Sequence, residues 1–171
     1  DESIRLKRTL EHHGAELANY SRIYDQYPYR LGLIRQTLAT EQIPLASLTA
    51  VVGRGGLLKP LAGGAYRVNP LMVQDMKAAE RGEHASNLGA VMAFELAEEL
   101  RIPAFIVDPV SVDELAPVAR ISGSPWFERV SMTHALNMKA VARRVAVETG
   151  KSYEAANLVV AHLGSGVSLS V

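Results

Sequence analysis

Three short glycine-containing segments constrain this chain most, because each closes or follows an apolar stretch. They are Gly53-Arg54-Gly55-Gly56, the run 82–87 and the run 162–166. Glycine lets backbone N–H groups come close to a ligand, and the arginine or histidine beside it adds positive charge or a hydrogen-bond donor. The pattern predicts anion-binding loops at the ends of buried elements. The last of these loops, close to residue 171, predicts that the chain leads into a further lobe.

Size and composition exclude several classes of protein. The chain has 171 residues, 18 Lys plus Arg, 18 Asp plus Glu and no cysteine. A balanced charge gives no overall attraction to nucleic acid or to a membrane surface. The absence of cysteine excludes disulfides, thiolate catalysis and cysteine-based zinc sites, and it fits a cytoplasmic protein. No apolar run approaches the roughly 20 residues of a membrane span.

Hydrophobic periodicity predicts alternating strands and helices. Such an order is typical of an α/β fold, in which helices flank a mixed sheet. Helix signals support it, with Asn69 as N-cap before Pro70, a capping box at 111–114 and Gly150 as a C-terminal stop. The expected strands are 4–7, 48–52, 103–107, 158–161 and 166–171, and the expected helices include 29–38, 86–100 and 131–149.

Two strand ends carry charged candidates. Arg54 follows a strand among glycines, where its guanidinium could bind a carboxylate or phosphate in bidentate fashion, or could be an ordinary turn arginine. Asp108 follows the apolar run 103–107, and ligands of open α/β sheets gather at such ends. Its carboxylate could hold Mg²⁺, or it could simply start a turn before Pro109.

The histidines are weaker candidates by themselves. His84 precedes a helix and could donate a hydrogen bond to an anion there, or could be a capping-region side chain. His134 lies at a helix start, where a lone histidine is more often structural. The run His162-Leu163-Gly164-Ser165-Gly166 predicts a turn whose N–H groups cradle a phosphate, although a plain β-hairpin has the same pattern.

Taken together, six stretches closely resemble the butyrate kinase family, within the superfamily of acetate and sugar kinases, Hsp70 and actin. They occur in the family's order, whereas the first 47 residues match more loosely. The stretches are AVVGRGGLLKP at 50–60, GEHASNLG at 82–89, PAFIVDP at 103–109, ARISG at 119–123, HALN at 134–137 and AHLG at 161–164.

The resemblance implies a ribonuclease H-like, actin-like ATPase lobe that is incomplete. Residues 1–153 would form most of the first lobe without its opening phosphate-loop hairpin, and 154–171 the first strands of the second lobe. We therefore expect part of a larger enzyme, inactive alone, that phosphorylates butyrate or a branched short-chain acid with ATP and Mg²⁺. It would be cytoplasmic and homo-oligomeric, with no nucleic-acid or membrane partner. A kinase for acetate or propionate and a non-catalytic interaction module remain alternatives.

Site roles also follow from the resemblance. Arg54 would bind the acyl carboxylate, with His84 and Asn87 in the acyl site. His134 would contact the transferred phosphoryl group, and Asp108 would position Mg²⁺. The second phosphate loop would comprise His162, Gly164, Ser165 and Gly166. That loop reads Gly-Ser-Gly here, where the family has Gly-Gly-Gly.

Overall fold

The computed structural model describes residues 3–164 and 167–171, and the sequence expectations for Ser165 and Gly166 lie outside the described residues. Its strands are β1 (Val51–Arg54), β2 (Ala65–Arg67), β3 (Ala104–Val107), β4 (Val160–Leu163) and β5 (Val167–Ser170). Its α-helices are α1 (Gly14–Leu17), α2 (Tyr27–Thr40), α3 (Pro70–Ala78), α4 (Asn87–Leu100) and α5 (Ala135–Glu148). Short 3-10 helices occupy Tyr24–Gln26, Leu45–Ser47, Pro117–Arg120 and Tyr153–Ala155.

The strands form two separate sheets. β3 lies at the centre of the first, parallel to β1 and antiparallel to β2, so this sheet is mixed. β4 and β5 pair antiparallel as a hairpin with its own two-stranded sheet. The α/β class with a mixed sheet and flanking helices is therefore confirmed. No helix in the described part of the chain is long and apolar enough to cross a membrane.

Helix α4 packs closely against β1, and this contact organises the core. The helix is rich in alanine, and its buried residues include Leu88, Ala90, Val91 and Leu96. The backbones approach so closely that a Cβ on Gly53 would overlap the carbonyl oxygen of Gly89, and a Cβ on Gly89 would overlap that of Arg54. The two glycines therefore permit the contact between strand and helix.

Several local sequence signals agree with the structure. The side chain of Asn69 accepts a hydrogen bond from the backbone N–H of Met72 at 2.9 Å and caps α3, as expected. Gly150 has a φ of 69° and ends α5, because glycine adopts this left-handed conformation without steric cost. Helices α2 and α4, strand β3 and the β4–β5 hairpin also lie where the sequence predicts them, within a few residues at their ends.

Two expected strands are corrected, and a further strand is present that the sequence does not predict. Residues 4–7 form no strand, because no neighbouring strand pairs with them among the described residues, and Ile4 is 79% exposed. The first real strand begins at Val51 rather than at residue 48, and it is only half-buried, since Val52 and Arg54 point outward. No sequence pattern indicates the three-residue strand β2.

The capping box at 111–114 does not start a helix, because its side chains have other partners. Ser111 Oγ donates to the carbonyl oxygen of Gly56 at 3.3 Å, and Asp113 pairs with Arg120 at 2.8 Å. Glu114 accepts from the backbone N–H of Gly63 at 2.7 Å. These contacts hold 111–114 in a turn and an irregular segment rather than in a helix.

Candidate active site

A single cleft brings together four of the predicted site residues. Its volume is about 640 Å³, and Arg54, His84, Asp108 and His134 all line it. The cleft lies where β1 and β3 end and where α4 and α5 begin. The remaining wall is largely apolar and includes Leu31, Ile34, Val51, Val52, Met92, Ala93 and Leu96. A few polar groups at one end of an apolar cavity are typical of small-molecule sites.

Arg54 supplies an available positive charge. It is the last residue of β1, on the outward-facing side of the strand, and its side chain is exposed. Within residues 3–164 and 167–171, no acidic side chain pairs with its guanidinium. The glycines around it serve packing, since a Cβ on Gly55 would collide with Pro109 just as one on Gly53 would collide with α4. An unpaired guanidinium held on a packed strand is suited to binding an anion from solution.

Asp108 is buried at the end of β3, with a side chain only 5% exposed. Its backbone has a φ of 39°, which is uncommon for a residue other than glycine. Its Oδ1 accepts a hydrogen bond from the N–H of Gly64 at 2.8 Å, and its own N–H donates to the carbonyl oxygen of Gly64 at 3.0 Å. These reciprocal bonds fix the carboxylate at the edge of the cleft.

His134 lines the same cleft as Asp108 because the chain before α5 returns along the segment after β3. Thr133 N–H donates to the carbonyl oxygen of Val110 at 3.2 Å, and the buried Ser131 hydroxyl donates to that of Val112 at 2.6 Å. Burial first, and then the electrostatic effects of His162 and Arg54, lower the pKa of His134. The imidazole is therefore neutral around pH 7 and can donate one ring N–H.

His162 is not among the residues that line the cleft, but the hairpin brings it against His134. Its ring stacks on that of His134, with centroids 3.9 Å apart and planes 12° apart. The amide nitrogen Nδ2 of Asn137 lies 3.1 Å from its Nδ1. Because an amide nitrogen only donates, Nδ1 accepts this bond and the ring proton resides on Nε2. Gly164 follows directly at the turn, and the rest of the predicted phosphate loop, Ser165 and Gly166, lies outside the described residues.

His84 is held by the start of α4. Its Nδ1 accepts a hydrogen bond from the backbone N–H of Ser86 at 3.1 Å and lies 2.7 Å from the Ser86 hydroxyl. With Nδ1 acting as acceptor, the neutral ring carries its proton on Nε2, which leaves a second N–H donor at the cleft.

Asn87 is not among the residues that line this cleft. It is buried, its Oδ1 accepts from the N–H of Leu57 at 2.9 Å, and its Nδ2 donates to the carbonyl oxygen of Gly82 at 3.0 Å. The side chain thus links the loop after β1 to the segment before α4. Both of its polar atoms are engaged, so its place in the structure is that of a support for Arg54 and His84.

A magnesium ion would find one suitable carboxylate here. Among the described residues, no group of three or more His, Cys, Asp or Glu side chains is placed to hold a metal ion. In the same part of the chain, Oδ2 of Asp108 has no hydrogen-bond partner, because the Gly64 bond uses Oδ1. A single free carboxylate oxygen fits Mg²⁺, which is typically bound by one or two carboxylates, water and substrate phosphates.

Lys139 and Glu114 adjoin the site, although no sequence pattern assigns them to it. Lys139 Nζ lies 2.9 Å from Glu114 Oε2 and 3.6 Å from Asp108 Oδ1. The hydrogen bond from Lys139, followed by that from the Gly63 N–H, lowers the pKa of Glu114. Burial opposes the charge on Lys139, but the bond to Glu114 and the charges of both carboxylates raise the pKa of Lys139 overall.

Fold and cleft together define an α/β lobe that carries a cationic and histidine-containing site. In structure, the chain is similar to acetate kinase from Porphyromonas gingivalis, with a TM-score of 0.63 over 82% of this chain and 39% of that one. Sequence identity in this comparison is 14%, so the likeness concerns the fold.

The sequence comparison is more specific. The chain is 51% identical over 169 residues to Butyrate kinase 1 from Clostridium acetobutylicum, which covers 99% of this chain and 48% of that protein. The chain thus spans about half the length of this relative. No family model matches the chain. The resemblance to butyrate kinase that the six sequence stretches indicated is confirmed.

Proposed function

We propose that this chain is part of an ATP-dependent carboxylate kinase that phosphorylates butyrate or a branched short-chain acid. Residues 1–153 would supply most of the first lobe, and 154–171 the first strands of the second. One observation carries the proposal: the unpaired guanidinium of Arg54 shares a cleft with His84, Asp108 and His134. The name of the sequence relative points to the same reaction.

Arg54 would bind the carboxylate of the acid, with the Nε2–H of His84 as a second donor. The carboxylate of a short-chain acid is ionised at pH 7, so no general base is needed to activate it. One carboxylate oxygen would attack the terminal phosphorus of ATP, and the bond from that phosphorus to ADP would break. Both reactants are anions, and Arg54 would offset their repulsion as they meet in line.

His134, His162 and Gly164 would contact the transferred phosphoryl group. Each imidazole offers one N–H donor to the equatorial oxygens, where charge accumulates in the transition state. Ser165 and Gly166 would complete this loop. The short centroid distance between the two rings supports the proposal, because it allows both donors to reach the same small group.

Asp108 would hold Mg²⁺ through its free Oδ2 oxygen, directly or through a water molecule. When bound, the ion would neutralise charge on the phosphate oxygens. The chain's contribution is the fixed position of this carboxylate, set by Gly64 and by Lys139.

The apolar wall of the cleft would receive the alkyl chain of the acid. Leu31, Ile34, Met92 and Leu96 line it together with Arg54. Each methylene group buried against such a wall contributes roughly 0.8 kcal/mol to the binding free energy, which favours a four-carbon acid over acetate. The fold likeness to an acetate kinase keeps acetate and propionate as alternative substrates. We also propose a cytoplasmic, homo-oligomeric enzyme.

Trapping of the acyl phosphate with hydroxylamine tests the reaction. The protein containing this chain is incubated with ATP, Mg²⁺ and acetate, propionate, butyrate or isobutyrate. We expect kcat/KM to be highest for the four-carbon acids. A preference for acetate would favour the alternative substrate. No turnover, together with no line broadening of ¹³C-labelled butyrate by this chain, would favour a non-catalytic interaction module.

A further inference from the structure

Lys139 lies between two carboxylates that come from distant parts of the chain. Its ammonium nitrogen is 2.9 Å from Glu114 Oε2 and 3.6 Å from Asp108 Oδ1. Each carboxylate also accepts a backbone N–H bond, Glu114 from Gly63 at 2.7 Å and Asp108 from Gly64 at 2.8 Å. The three charged groups and the two N–H donors form one connected cluster.

The cluster is tightly packed around Gly63. A Cβ on Gly63 would collide with Lys139 Nζ and lie 2.6 Å from Glu114 Oε1 and 3.0 Å from Asp108 Oδ1. The Lys139 side chain is 21% exposed, so its ammonium is partly withdrawn from water. In such surroundings a charge-assisted contact is stronger and more directional than on an open surface.

Lys139 also connects two elements that carry proposed site residues. It belongs to α5, whose first turn follows His134, whereas Asp108 directly follows β3. We propose that Lys139 is a positioning residue, which fixes the Asp108 carboxylate relative to His134 and thereby sets the Mg²⁺–nucleotide geometry. This inference rests on the proposed kinase function.

The charge of Lys139 is essential to this role. Asp108 is almost completely buried, and a buried carboxylate that loses its cationic neighbour is driven to move toward water or another donor. Movement would also release its bond to the Gly64 N–H. Arg54, in contrast, is anchored by β1 and by the contact with α4, so carboxylate binding should not depend on Lys139.

Kinetics of three variants test the proposal. Lys139→Met removes the charge and keeps the chain length, Lys139→Arg restores a charge, and Lys151→Met is the control at an exposed lysine just beyond α5. For Lys139→Met we expect kcat/KM for Mg²⁺–ATP to fall roughly 10–100-fold, the usual effect of losing a group that orients a metal ligand. KM for butyrate should stay within about twofold, and Lys139→Arg should recover part of the loss.

Hydrogen exchange at the Gly63 and Gly64 amides, followed by NMR in this chain, gives a second readout without turnover. We expect both amides to lose protection in Lys139→Met and to keep it in Lys139→Arg and Lys151→Met.

Equal changes in KM for butyrate and for Mg²⁺–ATP, or unchanged protection, would overturn the proposal. If the wild type lacks kinase activity, the proposed function fails, while exchange still decides whether Lys139 holds Asp108. Should Lys139→Met unfold, Glu114→Gln must weaken Mg²⁺–ATP use in the same direction.

Discussion

The β1–α4 contact places Arg54 in the cleft, and the β4–β5 hairpin brings His162 against His134, which lines the cleft. Only the first of these two regions is built into the core. β1 pairs with β3, and Gly53 meets Gly89 among residues such as Ala90 and Ile106, which are 0% exposed. In the hairpin, Leu163, Val167 and Leu169 are 76%, 66% and 68% exposed. Packing therefore fixes Arg54, whereas stacking and the contact with Asn137 hold His162.

This difference has a chemical meaning for the proposed kinase. The side that would bind the acid is rigid because it shares its backbone contacts with the core. The side that would bind phosphate depends on a few polar and ring contacts, each worth roughly 0.5–1.5 kcal/mol. Mutations in the β1–α4 region should strongly reduce either the free energy of unfolding or the affinity for the acid. Mutations at the hairpin should affect function with little loss of stability.

The largest effect on stability is expected for Gly53→Ala. Its new Cβ would overlap the Gly89 carbonyl oxygen, so β1 and α4 must separate, which should lower the free energy of unfolding by about 2–3 kcal/mol. The midpoint of thermal unfolding should fall by roughly 4–12 °C. Calorimetry of the purified chain provides the measurement.

Gly32→Ala is the matched control for that substitution. Gly32 lies in α2, and a methyl group added there would have no atom within 4 Å, so alanine should stabilise the helix by about 0.5–1 kcal/mol. The two replacements thus have opposite expected signs. Equal effects would contradict the close approach of β1 and α4.

Arg54→Ala comes second, and its expected effect is on binding. Loss of a charge-assisted bidentate contact should cost roughly 2–4 kcal/mol of transition-state stabilisation and lower kcat/KM for butyrate accordingly. ATP affinity and the free energy of unfolding should stay nearly constant. Lysine at this position should rescue only part of the activity, because an ammonium lacks the planar fork.

Arg144→Ala is the control for Arg54, since Arg144 is another exposed arginine without an acidic partner among the described residues. It should leave all of these quantities unchanged. Near-wild-type kcat/KM for butyrate in Arg54→Ala would make Arg54 an ordinary turn arginine and would remove the basis of the proposed acyl site.

Local sequence signals predict the regular elements better than the contacts between them. The cap at Asn69 and the stop at Gly150 involve neighbouring residues only, so they are readable from a short pattern. The capping box at 111–114 starts no helix because Gly56, Arg120 and Gly63 compete for its side chains. Strand β2 escapes prediction because three residues carry too little periodicity.

The same limit applies to the site. Glycines beside Arg54 and the strand-end position of Asp108 identify two cleft residues by local pattern, and family resemblance supplies roles for the histidines. Asn87 and Lys139 depend on partners far along the chain, Leu57 and Asp108, and no spacing rule encodes such pairs. The supporting roles of these two residues are therefore the ones that required the structure.

The third prediction concerns the hairpin. His162→Ala removes the stacked ring and the Asn137 contact, and we expect the unfolding free energy to change by less than about 1.5 kcal/mol. Phosphoryl transfer should fall by a larger factor than butyrate affinity, which is set by Arg54. Urea unfolding and steady-state kinetics measure the two effects, and His13→Ala is a control at an exposed histidine. A loss of stability as large as that of Gly53→Ala would contradict the contrast between the two regions.

The smallest effect is the pH dependence that His134 confers on stability. Burial, then His162, then Arg54, holds its pKa below the ordinary value of 6.5. Below pH 6.5 the unfolded chain therefore takes up a proton more readily than the folded chain does. The contribution of neutral His134 to the free energy of unfolding is fully present above about pH 6.5 and is lost as the pH falls through its folded-state pKa.

His134→Gln should therefore reduce the drop in unfolding free energy between pH 7.5 and pH 5.5. Several carboxyl groups, including those of Glu83 and Asp113, also have lowered pKa values, but their contributions are lost mainly below about pH 4.5. His12 has a lowered pKa for a different reason, burial followed by the charge of Arg30, so His12→Gln measures the background from a histidine outside the cleft.

NMR titration of the His134 ring links this test to the hairpin. In His162→Ala the pKa of His134 should rise toward its ordinary value, because the second largest cause of the shift is gone. An unchanged midpoint would mean that the hairpin does not approach α5 as closely as the stacked rings require.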